Sequence, residues 1–277
     1  MTQLPEVEVI KRELEKELVG KKIKDVWLSP AELVKRHGTI KDFAASLVDN
    51  KIVSVDRKGM CLLFELDNDT TLVAIPGSRA RMTKETAKEA RGDATRMVLQ
   101  WTTGGSVHYH DLEADGDLFV VDTDKVDELD DLAKLGMDPL AEPIPWPVFS
   151  SALTDRKDLL KAVMVDDSFV VGLGNIYSDE ILFEAGLAPA RNSATLSSQE
   201  VRRLHRAILE VIYEAIKQGG TDKAPSETDK GFLPYDEVGH LKIYAREGQA
   251  DARSRAIIEY GKIKKGLYAY HSPRTQT

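Results

Sequence analysis

The spacing of hydrophobic positions changes character along the chain. From Val7 through Leu14 to Leu18 it is helical, Pro5 suits a first helical turn and Gly20 ends the run, so a short helix is predicted behind an exposed tip. Between about residue 22 and about residue 125 the pattern becomes short and β-rich. The stretches 51–55, 61–66, 71–75, 96–101 and 118–121 are separated by Gly, Asn or Asp turns, which predicts a β-sandwich or barrel. Residues 40–47 supply one further helix there, and 84–90 read as loop or a helical turn. His108 and His110 alternate onto one face of a strand.

Leu135-Gly136-Met137-Asp138-Pro139-Leu140, followed by Pro143, Pro145 and Pro147, breaks regular structure and marks a domain boundary. Helical spacing follows it at 159–165 and 179–185. Ser197-Ser198-Gln199-Glu200 forms a capping box for a long helix running to about Lys217, whose apolar face is Val201, Leu204, Ile208, Val211, Ile212 and Ala215. Gly219-Gly220 ends that helix, 221–230 reads as a mobile polar loop, and 242–270 alternates as a terminal β-hairpin. The predicted class is α+β, with no internal repeat.

Composition narrows the picture. A chain of 277 residues, 42% hydrophobic and 30% charged, has room for two ordinary domains. No apolar stretch is long enough to cross a bilayer and the N-terminus lacks the layout of a signal peptide, so a cytoplasmic protein is expected. Cys61 is the only cysteine, which leaves neither an internal disulfide nor a cysteine-based zinc finger; within its apolar strand it reads as buried. The net charge of −8 argues against indiscriminate nucleic-acid binding, yet distribution matters more than the sum. Lys242, Arg246, Arg253, Arg255, Lys262, Lys264, Lys265 and Arg274 face only Glu247, Asp251 and Glu259, whereas 111–142 is heavily acidic. The basic C-terminal stretch is either a solvated face or a phosphate-binding footprint.

Gly172-Leu173-Gly174-Asn175-Ile176-Tyr177 supplies backbone N–H groups and an Asn side chain where a helix starts, which suits a phosphate oxygen. The wider stretch from Asp166 to Pro189, with the opening Leu4-Pro5-Glu6-Val7-Glu8, resembles the formamidopyrimidine-DNA glycosylase and endonuclease VIII family. The resemblance covers essentially the full length. It implies an N-terminal helix and β-sandwich domain over 1–130, a helix-two-turn-helix DNA-binding domain over 145–235, and a hairpin like a zincless finger over 236–277. It also assigns contacts. Asn175, beside Gly174, matches the asparagine that holds a backbone phosphate next to the lesion. Lys161 matches a lysine near the DNA. Lys264, with Lys265 beside it, stands where an arginine grips the lesion phosphate.

The same resemblance implies altered chemistry. The family exposes a proline amine that attacks the sugar, with the next glutamate as general acid/base; here those positions are Thr2 and Gln3. Thr2 is small enough for Met1 to be removed, leaving an amine with a pKa near ~8, whereas the Gln3 amide has no proton to exchange near neutrality. Met60 replaces the lysine of the Arg57–Leu63 strand turn and reads as apolar packing; Lys58 stands two residues earlier as a further DNA candidate. The usual Met wedge aligns with Gly77 and the usual Arg-Phe pair with Ala114 and Asp115, leaving Ile75, Arg79 and Leu112 as substitutes. Asp251, Ser254, Ala269 and Ser272 fall where zinc cysteines would, so no metal is implied, and Tyr244, Tyr260, Tyr268 and Tyr270 hold the hairpin by packing. His108, His110 and Asp111 offer too few ligands for a metal site of their own. The function implied is monomeric, cofactor-free binding of damaged or abasic double-stranded DNA, with glycosylase activity weakened or lost. Two other readings stay open: an active glycosylase or abasic-site lyase using the Thr2 amine, and a protein-binding scaffold without DNA activity.

Overall fold

A computed structural model describes residues 2–29, 31–86, 91–221 and 238–277. The chain divides into two compact units, one running to Ala133 and one beginning at Lys134.

In the first unit, α1 (Leu4–Leu18) buries Leu4, Val7, Ile10, Leu14 and Leu18, the stripe that helical spacing predicts. Then come β1 (Ile23–Leu28), α2 (Ile40–Leu47), β2 (Ile52–Lys58), β3 (Cys61–Leu66), β4 (Thr70–Ile75), β5 (Ala80–Glu85), β6 (Thr95–Trp101), β7 (Ser106–Asp111), β8 (Asp117–Asp122) and the short α3 (Asp130–Ala133). Two four-stranded antiparallel sheets, β1-β6-β7-β5 and β2-β3-β4-β8, enclose a core of alternating side chains such as Val26, Val55, Phe64, Leu72, Leu99 and Tyr109. β1 and β5 lie outside the sequence expectation. A bulge between Ile23 and Asp25 breaks the alternation of β1. β5 is a sheet edge of polar composition, and its last residues, Lys84 and Glu85, correct the loop expected from 84; residues 87–90 lie outside the described residues. Cys61 is buried, and burial pushes its thiol up to about 12.

The second unit holds α4 (Trp146–Arg156), α5 (Leu160–Met164), α6 (Gly174–Ala185), α7 (Ser198–Lys217) and a hairpin of β9 (Glu259–Lys264) and β10 (Leu267–His271). Pro145 and Pro147 do not simply break structure: they sit at the N-cap and within the first turn of α4, where proline is tolerated. The Ser197–Glu200 capping box forms as predicted and α7 packs on α6. The terminal hairpin is confined to β9–β10; most of 242–258 is irregular. The loop expected over 221–230 falls, beyond Thr221, outside the described residues. Among the described residues no helix is long and apolar enough to cross a membrane.

Candidate nucleic-acid interface

Gly172 and Gly174 have φ of +70° and +50°, with Leu173 right-handed between them. Such alternation turns successive amides to one side and strains any residue with a Cβ, which accounts for both glycines. The Gly172 N–H donates to Asp167 Oδ1 at 2.8 Å, so it is not available to a ligand. The amides that open α6 have no carbonyl one turn before them, and Asn175 is exposed at that end. Gly174 to Tyr177 therefore form the first turn of α6 itself, earlier than the helix predicted from Asp179.

Lys161 is not a surface lysine. Its side chain is 0% exposed, and Nζ donates to Asp179 Oδ1 (2.6 Å), Ser178 Oγ (2.7 Å) and the Asn175 carbonyl (3.0 Å). All three ammonium donors are used inside the protein. Lys161 therefore stands beneath the turn that carries Asn175 and positions it, rather than presenting a free ammonium at the surface. Burial lowers the Lys161 pKa against the pull of Asp179, and raises that of Asp179 to about 6.

Asp179 and Glu180 tie the C-terminal region to α6. Asp179 Oδ2 accepts from the Tyr270 N–H at 2.9 Å, and the buried Glu180 carboxylate accepts from the amides of Lys242 (2.8 Å), Ile243 (2.9 Å) and Tyr244 (2.8 Å). Sequence reasoning did not assign either role, although two adjacent acids leading into the apolar run 181–183 were the available signal.

A third carboxylate organises the finger. Asp251, 1% exposed, accepts from the amides of Arg253 and Ser254 (both 2.8 Å) and from the hydroxyls of Ser254 (2.5 Å), Ser272 (2.8 Å) and Thr275 (3.1 Å). Burial alone would raise its pKa, but these donors hold it well below the usual carboxylate range. Ala269, at the remaining cysteine-matched position, is buried and has no polar side-chain atom; the third hydroxyl comes from Thr275. Ser272-x-x-Thr275 repeats the spacing of Asp251-x-x-Ser254, which is how the sequence could have revealed it. These residues do not fit zinc, because the set has one carboxylate and three hydroxyls rather than thiolates or imidazoles, and the carboxylate is already saturated with donors.

Much of the basic C-terminal charge is internal ligature. Lys242 and Arg253 both pair with Glu184, Arg246 donates to the carbonyls of Leu241 and Val238, and Lys264 pairs with Asp158 at 2.8 Å. Lys264 is thus exposed and paired, and its hydrogen bond lowers the Asp158 pKa. Lys265 lies exposed in the hairpin turn.

In the first unit, the Thr2 N–H donates to the Ser78 carbonyl at 2.6 Å; its hydroxyl donates to the Ala80 carbonyl (3.0 Å) and lies 2.9 Å from the Ala80 N–H. Gln3 is 2% exposed at the N-cap of α1, and its N–H donates to Glu6 Oε2 at 2.9 Å. Met1 lies outside the described residues. Arg57, with a side chain 4% exposed, binds Glu8 at 2.9 Å and the Gly59 carbonyl at 2.8 Å, joining the β2–β3 turn to α1. Met60 packs on the core as expected, and Lys58 pairs with Asp127 rather than standing free. Ile75 packs against a small cluster with Cys61 and Phe119, and the partly buried Arg79 accepts the Leu112 N–H at its carbonyl (3.2 Å). A Cβ at Gly77 would meet Asp115 Oδ1 at 2.3 Å and Asp111 Oδ2 at 2.4 Å. Those carboxylates are committed locally: Asp115 accepts the Ser78 N–H (2.8 Å), and Asp111, 0% exposed, accepts from Ala114 N, Gly116 N and the Tyr109 hydroxyl. His110 lies between the hydroxyls of Thr83 (2.8 Å) and Thr95 (3.2 Å), and burial lowers its pKa to about 4.

A β-sandwich followed by a helical unit with a Gly-x-Gly-Asn turn and a terminal hairpin is the architecture of a DNA glycosylase. The formamidopyrimidine-DNA glycosylase N-terminal domain matches residues 1–118 and the formamidopyrimidine-DNA glycosylase H2TH domain residues 135–225. The formamidopyrimidine-DNA glycosylase of Geobacillus kaustophilus is 32% identical over 280 residues, covering 100% of both chains; that of Thermus thermophilus is 34% identical, covering 90% of this chain and 88% of its own. Lactococcus lactis Fpg in complex with abasic-site DNA superposes with a TM-score of 0.88 at 26% identity, covering 99% of each chain. The chain belongs to the formamidopyrimidine-DNA glycosylase family.

Proposed function

We propose that this protein binds damaged or abasic duplex DNA in the cytoplasm, gripping the backbone at the N-terminal turn of α6, with base-excision chemistry weakened or lost. Solved relatives support the ligand: Lactococcus lactis Fpg is bound to abasic-site DNA and to DNA containing Fapy-dG. In the grip, Asn175 donates to a phosphate oxygen, the first amides of α6 add their dipoles, and Lys161 holds the turn from beneath.

The observation that carries the reading is Gln3. The residue adjoining the N-terminal nucleophile position has an amide side chain that cannot exchange protons near neutrality, and it is buried at the head of α1. Met60 supplies no charge, and the carboxylates around Gly77 leave no room for a wedge side chain. One observation favours a second reading, an abasic-site lyase: Thr2 is held by three hydrogen bonds in a defined place. Its nitrogen becomes a nucleophile only when Met1 is removed and the amine is unprotonated. Duplexes carrying an abasic site, 8-oxoguanine or no lesion, assayed for binding, strand cleavage and borohydride cross-linking, separate the cases. Lesion-preferring binding without cleavage is expected; a cross-link lost when residue 2 is blocked would establish the lyase, and no binding would leave the scaffold.

A further inference from the structure

The terminal hairpin presents more aromatic surface than packing requires. On β9 and β10, Tyr260 pairs with Tyr270 and Lys262 with Tyr268, so these four lie on one face, and Lys264 continues it. Ala269, on the opposite face, is fully buried. Tyr260 and Tyr268 are each 45% exposed and stack on one another with centroids 5.5 Å apart and planes 22° apart. Tyr270 lies behind them, 4.5 Å from Tyr260 and 5.0 Å from Tyr244, and is fixed through its N–H by Asp179.

A cleft of about 130 Å³ opens there, lined by Asn175, Asp179, Tyr244, Tyr260, Tyr268 and Tyr270. It has room for one planar ring, and it joins an aromatic wall to the side chain already assigned to a phosphate. Lys262, paired with the lining residue Tyr268, and Lys265, adjoining the lining residue Gly266, are both exposed. A phosphate donor, stacked rings and flanking ammonium groups are together the chemistry that recognises a nucleotide whose base has left the helical stack.

We propose that this cleft is a binding subsite for an unpaired base of single-stranded DNA, with Tyr260 and Tyr268 as the stacking platform and Lys262 and Lys265 as its electrostatic border. The inference rests on the DNA-binding reading above and adds to it a preference for DNA with an unpaired stretch. Every base has a π-face, so the subsite tolerates any sequence, and its lysine contribution weakens with salt.

The test uses the full chain and fluorescence anisotropy with two probes, a short oligothymidylate and a blunt duplex containing an abasic-site analogue. Tyr260→Ala and Tyr268→Ala are each expected to weaken oligothymidylate binding about tenfold while duplex affinity stays within about twofold. Tyr260→Phe keeps the ring and is expected to bind both probes as the parent does, which separates stacking from a hydroxyl contact and from misfolding. Duplex binding without oligothymidylate binding, or alanine variants that bind both probes unchanged, would overturn this subsite and leave the DNA-binding reading standing. Failure to bind either probe would overturn both.

Discussion

Replacing Lys161 with methionine removes the cation from a sealed site. Its ammonium lies 2.6 Å from Asp179, with side-chain exposures of 0% and 1%, and also satisfies Ser178 Oγ and the Asn175 carbonyl. Without it, Asp179 keeps one hydrogen-bond donor among the described residues, the Tyr270 N–H at 2.9 Å. Leaving such a carboxylate unpaired costs about 3–5 kcal/mol, because its hydration has been given up and nothing replaces it. Against a typical total of roughly 5–15 kcal/mol this is a large fraction. The pH dependence identifies the cause. Asp179 already has a folded-state pKa raised to about 6 from 3.8, so across that window the folded chain keeps a proton that the unfolded chain has released, and stability falls as pH rises. Loss of Lys161 moves the folded value higher and extends the window. Urea unfolding followed by circular dichroism, with hydrogen exchange of the α6 amides, is therefore expected to show a larger penalty at about pH 8 than at about pH 5. Adding Asp179→Asn to Lys161→Met should return part of the loss. A penalty below about 1 kcal/mol, or one equal at both pH values, would refute the view that Lys161 serves a buried charge pair.

Asp251→Asn puts an amide donor where Oδ2 accepts two hydroxyls, those of Ser254 and Ser272, and should destabilise the finger by about 2–3 kcal/mol, read as faster hydrogen exchange in β9 and β10; treating the parent protein with EDTA should change nothing there. Asn175→Ala should weaken duplex binding at least about tenfold without moving the thermal midpoint, because the side chain is exposed and the backbone carbonyl used by Lys161 survives. His110 is neutral when folded down to about pH 4, against 6.5 ordinarily, so the unfolded chain protonates first and stability is lost as pH falls through that interval. The loss amounts to at most about 3 kcal/mol, and His110→Gln should make the thermal midpoint less acid-sensitive.

Where burial and local spacing coincide, the sequence was legible. α1, α7 with its capping box, and strands β2, β3 and β4 follow directly from apolar period and turn residues. β1 and β5 were hidden because a bulge and a polar edge disturb alternation, and α4 because prolines read as breakers can also begin a helix. For the candidate site, spacing located Gly174 and Asn175 but not what surrounds them. The partners of Lys161 and Lys264, Asp179 and Asp158, are not their sequence neighbours, so only folding shows that the first lysine is buried in an ion pair and the second is paired at the surface. Thr275 was overlooked because a hydroxyl is unremarkable until Asp251 is seen to gather several of them.

The proposed function requires a DNA-gripping scaffold whose N-terminal chemistry is weakened or lost. Borohydride trapping of the parent protein on an abasic duplex tests it most directly. A stable noncovalent complex and no covalent adduct are expected; an adduct that maps to the amine of residue 2 would overturn the proposed function.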